Sequence, residues 1–192
     1  NYLMQASGLP VVGRVTSRPP RPDDDPKVYK YFTSEELIKM IERRELVQYA
    51  VDLGNGVMYG SLPTDYINNG PTLMDTWSWS VDMLKKKGFG SVKAVSIITP
   101  WKQWQEQLEA RFKTRDAAYQ KARLEEARKS LEWTRTRILA NDPYHTVIIN
   151  TRENTNASDK TLRDFAHNKP VTLPPGALSL IETLLHKMSS LT

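Results

Sequence analysis

Cysteine is absent from this chain of 192 residues, which excludes disulfides and every thiolate metal site and is compatible with a reducing cytoplasm. Histidine is scarce: His145, His167 and His186 stand too far apart in sequence to nominate a metal cluster, so no metal ligand is assigned. No apolar run approaches the ~20 residues that cross a bilayer, and no membrane segment is expected. No block of lysine and arginine is interleaved with aromatics in the manner of a single-strand binder, which argues against nucleic acid as the partner. An initiator methionine is missing too. The chain opens at Asn1, residues 1–6 read as the tail of a helix that stops near Ser7-Gly8, and the sequence is expected to begin inside a domain. No signal peptide is visible.

What is present is ordinary in bulk and informative in pattern. Hydrophobic residues make up 39% and charged residues 26%, as in a soluble globular α/β domain. The excess of 27 basic over 22 acidic residues, a net +5, suits nucleic acid and equally an enzyme whose ligands are polyphosphates. Five prolines between positions 10 and 26 exclude helix and make a stiff, extended loop, closed by Asp23-Asp24-Asp25.

Short strands are expected at 11–16, 29–32, 47–53 and 57–59, the last two joined by a Gly54-Asn55-Gly56 turn. Thr33 or Ser34 caps a helix that carries Leu37, Ile38 and Ile41 on one side. Residues 73–77 form a candidate core strand, 81–87 a short helix stopped by Gly88-Phe89-Gly90, and 92–99 the clearest buried strand. A helical stretch follows from Trp101 to Leu139, with an interruption at 111–115, and Trp101, Trp104 and Leu108 fall at the spacing of a core face. A strand at 146–150, a helix at 161–166 and an amphipathic C-terminal helix after Pro174-Pro175-Gly176 complete the chain. That last helix can pack on the domain, serve an oligomer contact or belong to an appended segment. Strands alternating with helices argue for a mainly parallel, three-layer α/β core.

The order Thr16-Ser17-Arg18-Pro19-Pro20-Arg21, Tyr29-Lys30-Tyr31-Phe32, Glu45-Leu46-Val47-Gln48-Tyr49-Ala50 and Gly54-Asn55-Gly56-Val57-Met58-Tyr59-Gly60-Ser61 resembles guanylate kinases. Their pattern is T-T-R-x-P-R, Y-x-F, E-[FL]-[IL]-E-[WYH]-A and G-N-x-Y-G-[ST], in the same order and near the same spacing. The resemblance covers about residues 10–166 and returns at Ser96–Pro100, Leu108–Arg111, Lys121–Leu124 and Val147–Asn150.

It implies a three-layer P-loop kinase fold with a mostly parallel central sheet, a monophosphate-binding subdomain at 13–64 within a domain at 1–170, a helical lid, and a C-terminal extension at 171–192. It also implies ATP-dependent phosphoryl transfer to a nucleoside monophosphate, with ATP and Mg2+ as cofactors. Arg18, Arg21, Tyr29, Tyr59 and Ser61 fall where the family binds the monophosphate. A compact dianion needs guanidinium forks and hydroxyl donors, which fits these residue types. Arg111, Arg115 and Arg123 fall where the lid cations neutralise the transferred phosphoryl group. Asn150 falls where the donor's adenine is contacted.

The sequence departs from the family in two ways. It contains no G-x-x-x-x-G-K-[ST], the loop that the family places just before the helix that residues 1–5 are expected to finish and that would cradle ATP's phosphates; upstream omission is the expected reason. The base-reading positions have also changed. Gln48 corresponds to the family glutamate that pairs with guanine's N1–H and amino group, Arg14 to a serine near O6, and Trp77 to the partner of the retained Asp75. A kinase with shifted base selectivity is the first reading. The alternative is a catalytically inactive module that binds a phosphorylated protein partner through the old monophosphate pocket.

Overall fold

The computed structural model describes residues 7–66, 70–89, 91–151 and 155–191 of a mixed α/β chain. Residues 1–6, expected to finish a helix, and Gly90 of the expected helix stop lie outside the described residues. The chain divides into two units, residues 8–92 and residues 93–192 together with 1–7.

The first unit is built on four short strands: β1 (Arg14–Thr16), β2 (Tyr29–Tyr31), β3 (Gln48–Val51) and β4 (Met58–Ser61), in spatial order β2-β1-β4-β3. β1 runs parallel to β2 and antiparallel to β4, and β3 pairs antiparallel with β4. Alternation along a strand sends successive side chains to opposite faces. One face of the sheet therefore carries Val15 and Met58, and it is sealed by helix α1 (Ser34–Glu42), which contributes the buried Leu37 with Met40 and Ile41 beside it.

The start of α1 is fixed by a capping box. The Thr33 hydroxyl accepts from the Glu36 N–H at 3.2 Å, and the Glu36 carboxylate accepts from the Thr33 N–H at 2.7 Å. The β3–β4 turn is held by the buried Asp52, whose carboxylate accepts from the Gly54 N–H at 2.9 Å. Gly56 adopts φ 71°, which glycine reaches without steric cost.

The expected strand at 73–77 is not formed as such. Only Leu73 bridges, in parallel with Val11, and helix α2 (Ser78–Lys86) begins three residues earlier than the apolar pattern indicated. Met74 to Trp77 stay extended without a ladder partner among the described residues, and Trp77, the N-cap of α2, stacks its ring on Trp79 at 5.8 Å.

In the second unit β5 (Ala94–Ile98) and β6 (His145–Ile149) pair in parallel over five residues each. A parallel pair requires a crossover, and the chain supplies one with α3 (Trp101–Phe112) and α4 (Ala117–Leu139). The expected interruption of the long helix falls at 113–116, where the Asp116 side chain caps α4 by accepting from the Tyr119 N–H at 2.8 Å. Helices α5 (Thr155–Ala166) and α6 (Ala177–Met188) follow.

Val147, Ile98, Leu124 and Leu131 form one core with Ala177, Ile181, Leu184 and Met188 of α6, and Trp101, Trp104 and Leu108 pack against it. The C-terminal helix is thus a core element of its unit. Among the described residues the sheet of this unit has two strands, so the mostly parallel central sheet that the sequence leads one to expect is not shown.

Candidate functional site

Register in the first unit gathers polar residues into a row. Tyr29 faces Arg14 across β2 and β1, and Ser61 faces Gln48 across β4 and β3. Val15 faces Gly60, so one step along the antiparallel ladder sets Arg14 opposite Ser61. Tyr29, Arg14, Ser61 and Gln48 therefore form one line across all four strands, on the face opposite Val15 and α1. Sequence separation from position 14 to position 61 is closed entirely by strand pairing.

At one end of the row sits the proline-stiffened loop. The Arg18 guanidinium is 6% exposed and lies over the Tyr29 ring at 4.7 Å, while Arg14 lies 5.9 Å from the same ring. Arg18 makes a bidentate pair with Asp24, Nη1 to Oδ2 at 2.7 Å and Nη2 to Oδ1 at 2.5 Å, and its Nη1 also donates to the Pro19 carbonyl at 3.0 Å. Asp24 further accepts from the Tyr31 hydroxyl at 2.5 Å and from the Arg21 N–H at 2.7 Å.

These contacts shift the charges in a consistent way. The Arg18 guanidinium and its hydrogen bonds hold the Asp24 carboxyl well below the usual carboxylate range, and Asp24 in turn raises Arg18. Desolvation, with the Asp24 carboxylate beside it, pushes the Tyr31 phenol up. The result is a fixed Arg18–Asp24 ion pair at the rim of the polar row. Arg21 enters this network through its main chain, and the residue itself is exposed.

At the other end the row is mostly enclosed. Gln48 and Ser61 are 5% and 0% exposed. The Gln48 Nε2 lies 3.7 Å from the Met74 sulfur, a weak acceptor, and the Ser61 hydroxyl shares a 2.7 Å hydrogen bond with Tyr66. Tyr66 also reaches the Met74 sulfur at 3.8 Å, and burial raises its phenol. Asp75 is exposed and stands 3.6 Å from Arg14 Nη1. Tyr59 packs on Trp77 at 5.6 Å, extending the aromatic run to Trp79.

Of the residues nominated in the second unit, Arg115 and Arg123 converge on one aromatic ring, 5.0 and 5.3 Å from Tyr119. Arg123 also pairs with Glu126 at 2.5 Å. Arg111 is exposed near the end of α3, two turns of chain away from Tyr119 in sequence. Asn150 directly follows β6 and donates its N–H to the Ile98 carbonyl at 2.7 Å. Among the described residues no group of three or more histidine, aspartate or glutamate side chains gathers to hold a metal ion, and no helix is long and apolar enough to cross a membrane.

The sequence matches no protein-family model and no curated protein. A solved structure does match: the crystal structure of guanylate kinase from Anaplasma phagocytophilum, with a TM-score of 0.54, covering 94% of this chain and 86% of that chain at 18% identity. The fold is guanylate-kinase-like. At that identity the likeness is one of fold, so the weight of each guanylate-kinase-like position rests on its own geometry.

Judged that way, the fold brings Arg14, Tyr29, Ser61 and Gln48 together, sets Arg18 against Tyr29 and Asp75 against Arg14, and couples Tyr59 to Trp77. It leaves Arg21 outside any side-chain contact with them. Asp24, Tyr31, Tyr66 and Met74 escape the sequence reading although they organise the site. The acidic triplet at 23–25 was the available signal for Asp24, since a carboxylate six residues after a loop arginine is within reach of folding back on it.

Proposed function

We propose that the chain acts as a nucleoside monophosphate kinase of the guanylate-kinase-like type, with its acceptor held on the polar face of the four-stranded sheet. The observation that carries this reading is the cross-strand row Tyr29–Arg14–Ser61–Gln48 ending beside the stacked, immobilised Arg18. Arg18 is already held in place by Asp24, so a phosphate dianion that exchanges for that carboxylate meets an ordered guanidinium fork. Arg18, Arg21, Tyr29 and Tyr59 are assigned to the monophosphate, with Ser61, Gln48, Arg14, Asp75 and Trp77 assigned to the remainder of the acceptor. Arg111, Arg115 and Arg123 are assigned as cations for the transferred phosphoryl group, and Asn150 as a contact for the donor's adenine.

ATP with Mg2+ is the donor that this reading implies, and it would supply the phosphoryl group. G-x-x-x-x-G-K-[ST] does not occur in the 192 residues and no metal-holding cluster occurs among the described ones, so no residue here is assigned to the donor's α- and β-phosphates or to its metal. The acceptor side is where this chain's own side chains act.

Titration of the common ribo- and deoxyribonucleoside monophosphates, followed by turnover with Mg·ATP, tests the proposal. Binding of at least one monophosphate is expected, and Arg18→Ala is expected to weaken it about 10- to 150-fold, the range for losing charge-assisted hydrogen bonds. Arg123→Ala should leave that affinity near wild type and lower kcat. Retention of a phosphorylated peptide with no affinity for any mononucleotide would instead return the inactive binding module.

A further inference from the structure

Asp24 is an acid enclosed by donors. Its carboxylate takes the Arg18 fork end-on, Nη1 to Oδ2 at 2.7 Å and Nη2 to Oδ1 at 2.5 Å. Oδ2 also accepts from the Tyr31 hydroxyl at 2.5 Å and from the Arg21 N–H at 2.7 Å. Only 10% of this side chain is exposed, whereas Asp23 and Asp25 on either side of it face solvent. A guanidinium fork, a phenol and a backbone amide converging on one anion are the donor types that hold a phosphate.

A phosphate cannot simply join this group. Both Nη1–H bonds of Arg18 are in use, one toward Asp24 and one toward the Pro19 carbonyl, and Nη2 is engaged by Asp24 as well. A dianion set on the same fork beside the carboxylate would bring like charges into contact, which disfavours the charged form of both. The Asp24 side chain, by contrast, can leave without breaking any strand pairing. It stands in the loop between β1 and β2, and its main-chain N–H donates to the Arg21 carbonyl of that same loop at 3.1 Å. Arg18 keeps the Tyr29 ring at 4.7 Å and the Pro19 carbonyl at 3.0 Å whether or not Asp24 is there.

We propose that Asp24 is a resident anion of the phosphate site, and that a phosphomonoester dianion binds by exchanging for its carboxylate. This rests on the monophosphate reading above and adds a controlling group to it. With the site empty, Asp24 keeps a buried guanidinium paired, and an unpaired buried charge is costly. With the site filled, Arg18, the Tyr31 hydroxyl and the Arg21 N–H pass to the phosphate oxygens, and Asp24 turns out toward solvent. Affinity for the phosphate is then a difference between two anions on one set of donors. A tethered carboxylate competes at a high effective concentration, so Asp24 sets a threshold that a weakly held anion does not cross.

Equilibrium titration of the full chain with ribose 5-phosphate, which carries the dianion and no base, provides the test. Asp24→Asn removes the competitor and is expected to bind it about 10- to 150-fold more tightly than wild type, the range for charge-assisted hydrogen bonds released to a ligand. Asp23→Asn changes the net charge equally at an exposed neighbour and should stay within about twofold of wild type, as surface charges do. Added to Arg18→Ala, the Asp24→Asn change should bring no gain, because the competition runs through the Arg18 fork. In wild type, the carboxyl carbon resonance of Asp24 should move as ribose 5-phosphate saturates the protein, a reading that does not depend on any variant folding.

An Asp24 carboxyl signal unmoved at saturation overturns the inference. So does equal or weaker binding by a folded Asp24→Asn, the result expected of a carboxylate that only holds the loop. A gain matched by Asp23→Asn, or one that survives without Arg18, would mean general charge removal and overturn it as well. In each of these cases wild-type binding leaves the monophosphate reading standing. Binding of ribose 5-phosphate to neither wild type nor Asp24→Asn removes the phosphate grip, and both fall together.

Discussion

Arg18 shows how a single residue can be legible in type and illegible in partner. Its place in a proline-rich loop marks it as a held side chain, because four prolines between β1 and β2 remove most of the loop's freedom before folding. Its engagement by Asp24 and Tyr31 depends on the loop doubling back, a three-dimensional fact that no spacing states. The pair has a defined pH signature. A carboxyl whose folded pKa is depressed contributes stability that is fully present above the unfolded value, about 3.9, and lost as pH falls through the folded value. The Tyr31 phenol, raised on folding, contributes below the unfolded value near 10 and is lost above it. The stability difference between wild type and Asp24→Asn should therefore be constant from about pH 5 to pH 9 and shrink below about pH 3.9. Denaturant melts of the two proteins at pH 3, 5 and 8 measure it; a difference that grew in acid would contradict the pairing.

At the scale of elements, the sequence was most informative where a pattern and a stop signal coincide. Thr33 followed by Glu36 placed one helix start and the Gly54-Asn55-Gly56 turn placed a hairpin, whereas the Asp116 cap that starts α4 was not singled out in the sequence. Leu73 to Trp77 misled because its apolar residues are extended without a ladder partner beyond Val11, and strand propensity measures fit to a pleated surface, not pairing itself. Helix α6 was legible as amphipathic but not as core, since the same stripe serves an intramolecular or an intermolecular contact. Its burial decides the matter for Ile181, which is fully enclosed among Val147, Leu131 and Leu124. Ile181→Ala should cost about 2–5 kcal/mol, the range for emptying a buried aliphatic site. Chemical denaturation followed by far-UV circular dichroism reads this loss, and a change under about 1 kcal/mol would mean that α6 packs only loosely.

For the whole molecule, the decisive feature is that each unit has a core of its own: Val15, Leu37, Leu46 and Met58 in residues 8–92, and the Val147–Ile181 cluster in residues 93–192. The candidate acceptor site is built wholly within the first. A ligand that binds the native state alone stabilises it by RT ln(1 + [L]/Kd), about 2.7 kcal/mol at a hundredfold excess over Kd. If the acceptor binds on the four-stranded sheet, that gain protects the elements whose pairing defines the row, because opening any of β1 to β4 breaks the register that sets Arg14 opposite Ser61. Hydrogen exchange at saturating GMP should therefore slow in 14–16, 29–31, 48–51 and 58–61. The β5–β6 pair, held by its own core, should change far less. Protection confined to residues 94–98 and 145–149, with the four-stranded sheet unaltered, would place the ligand on the other unit and remove Arg14, Arg18 and Gln48 from its recognition.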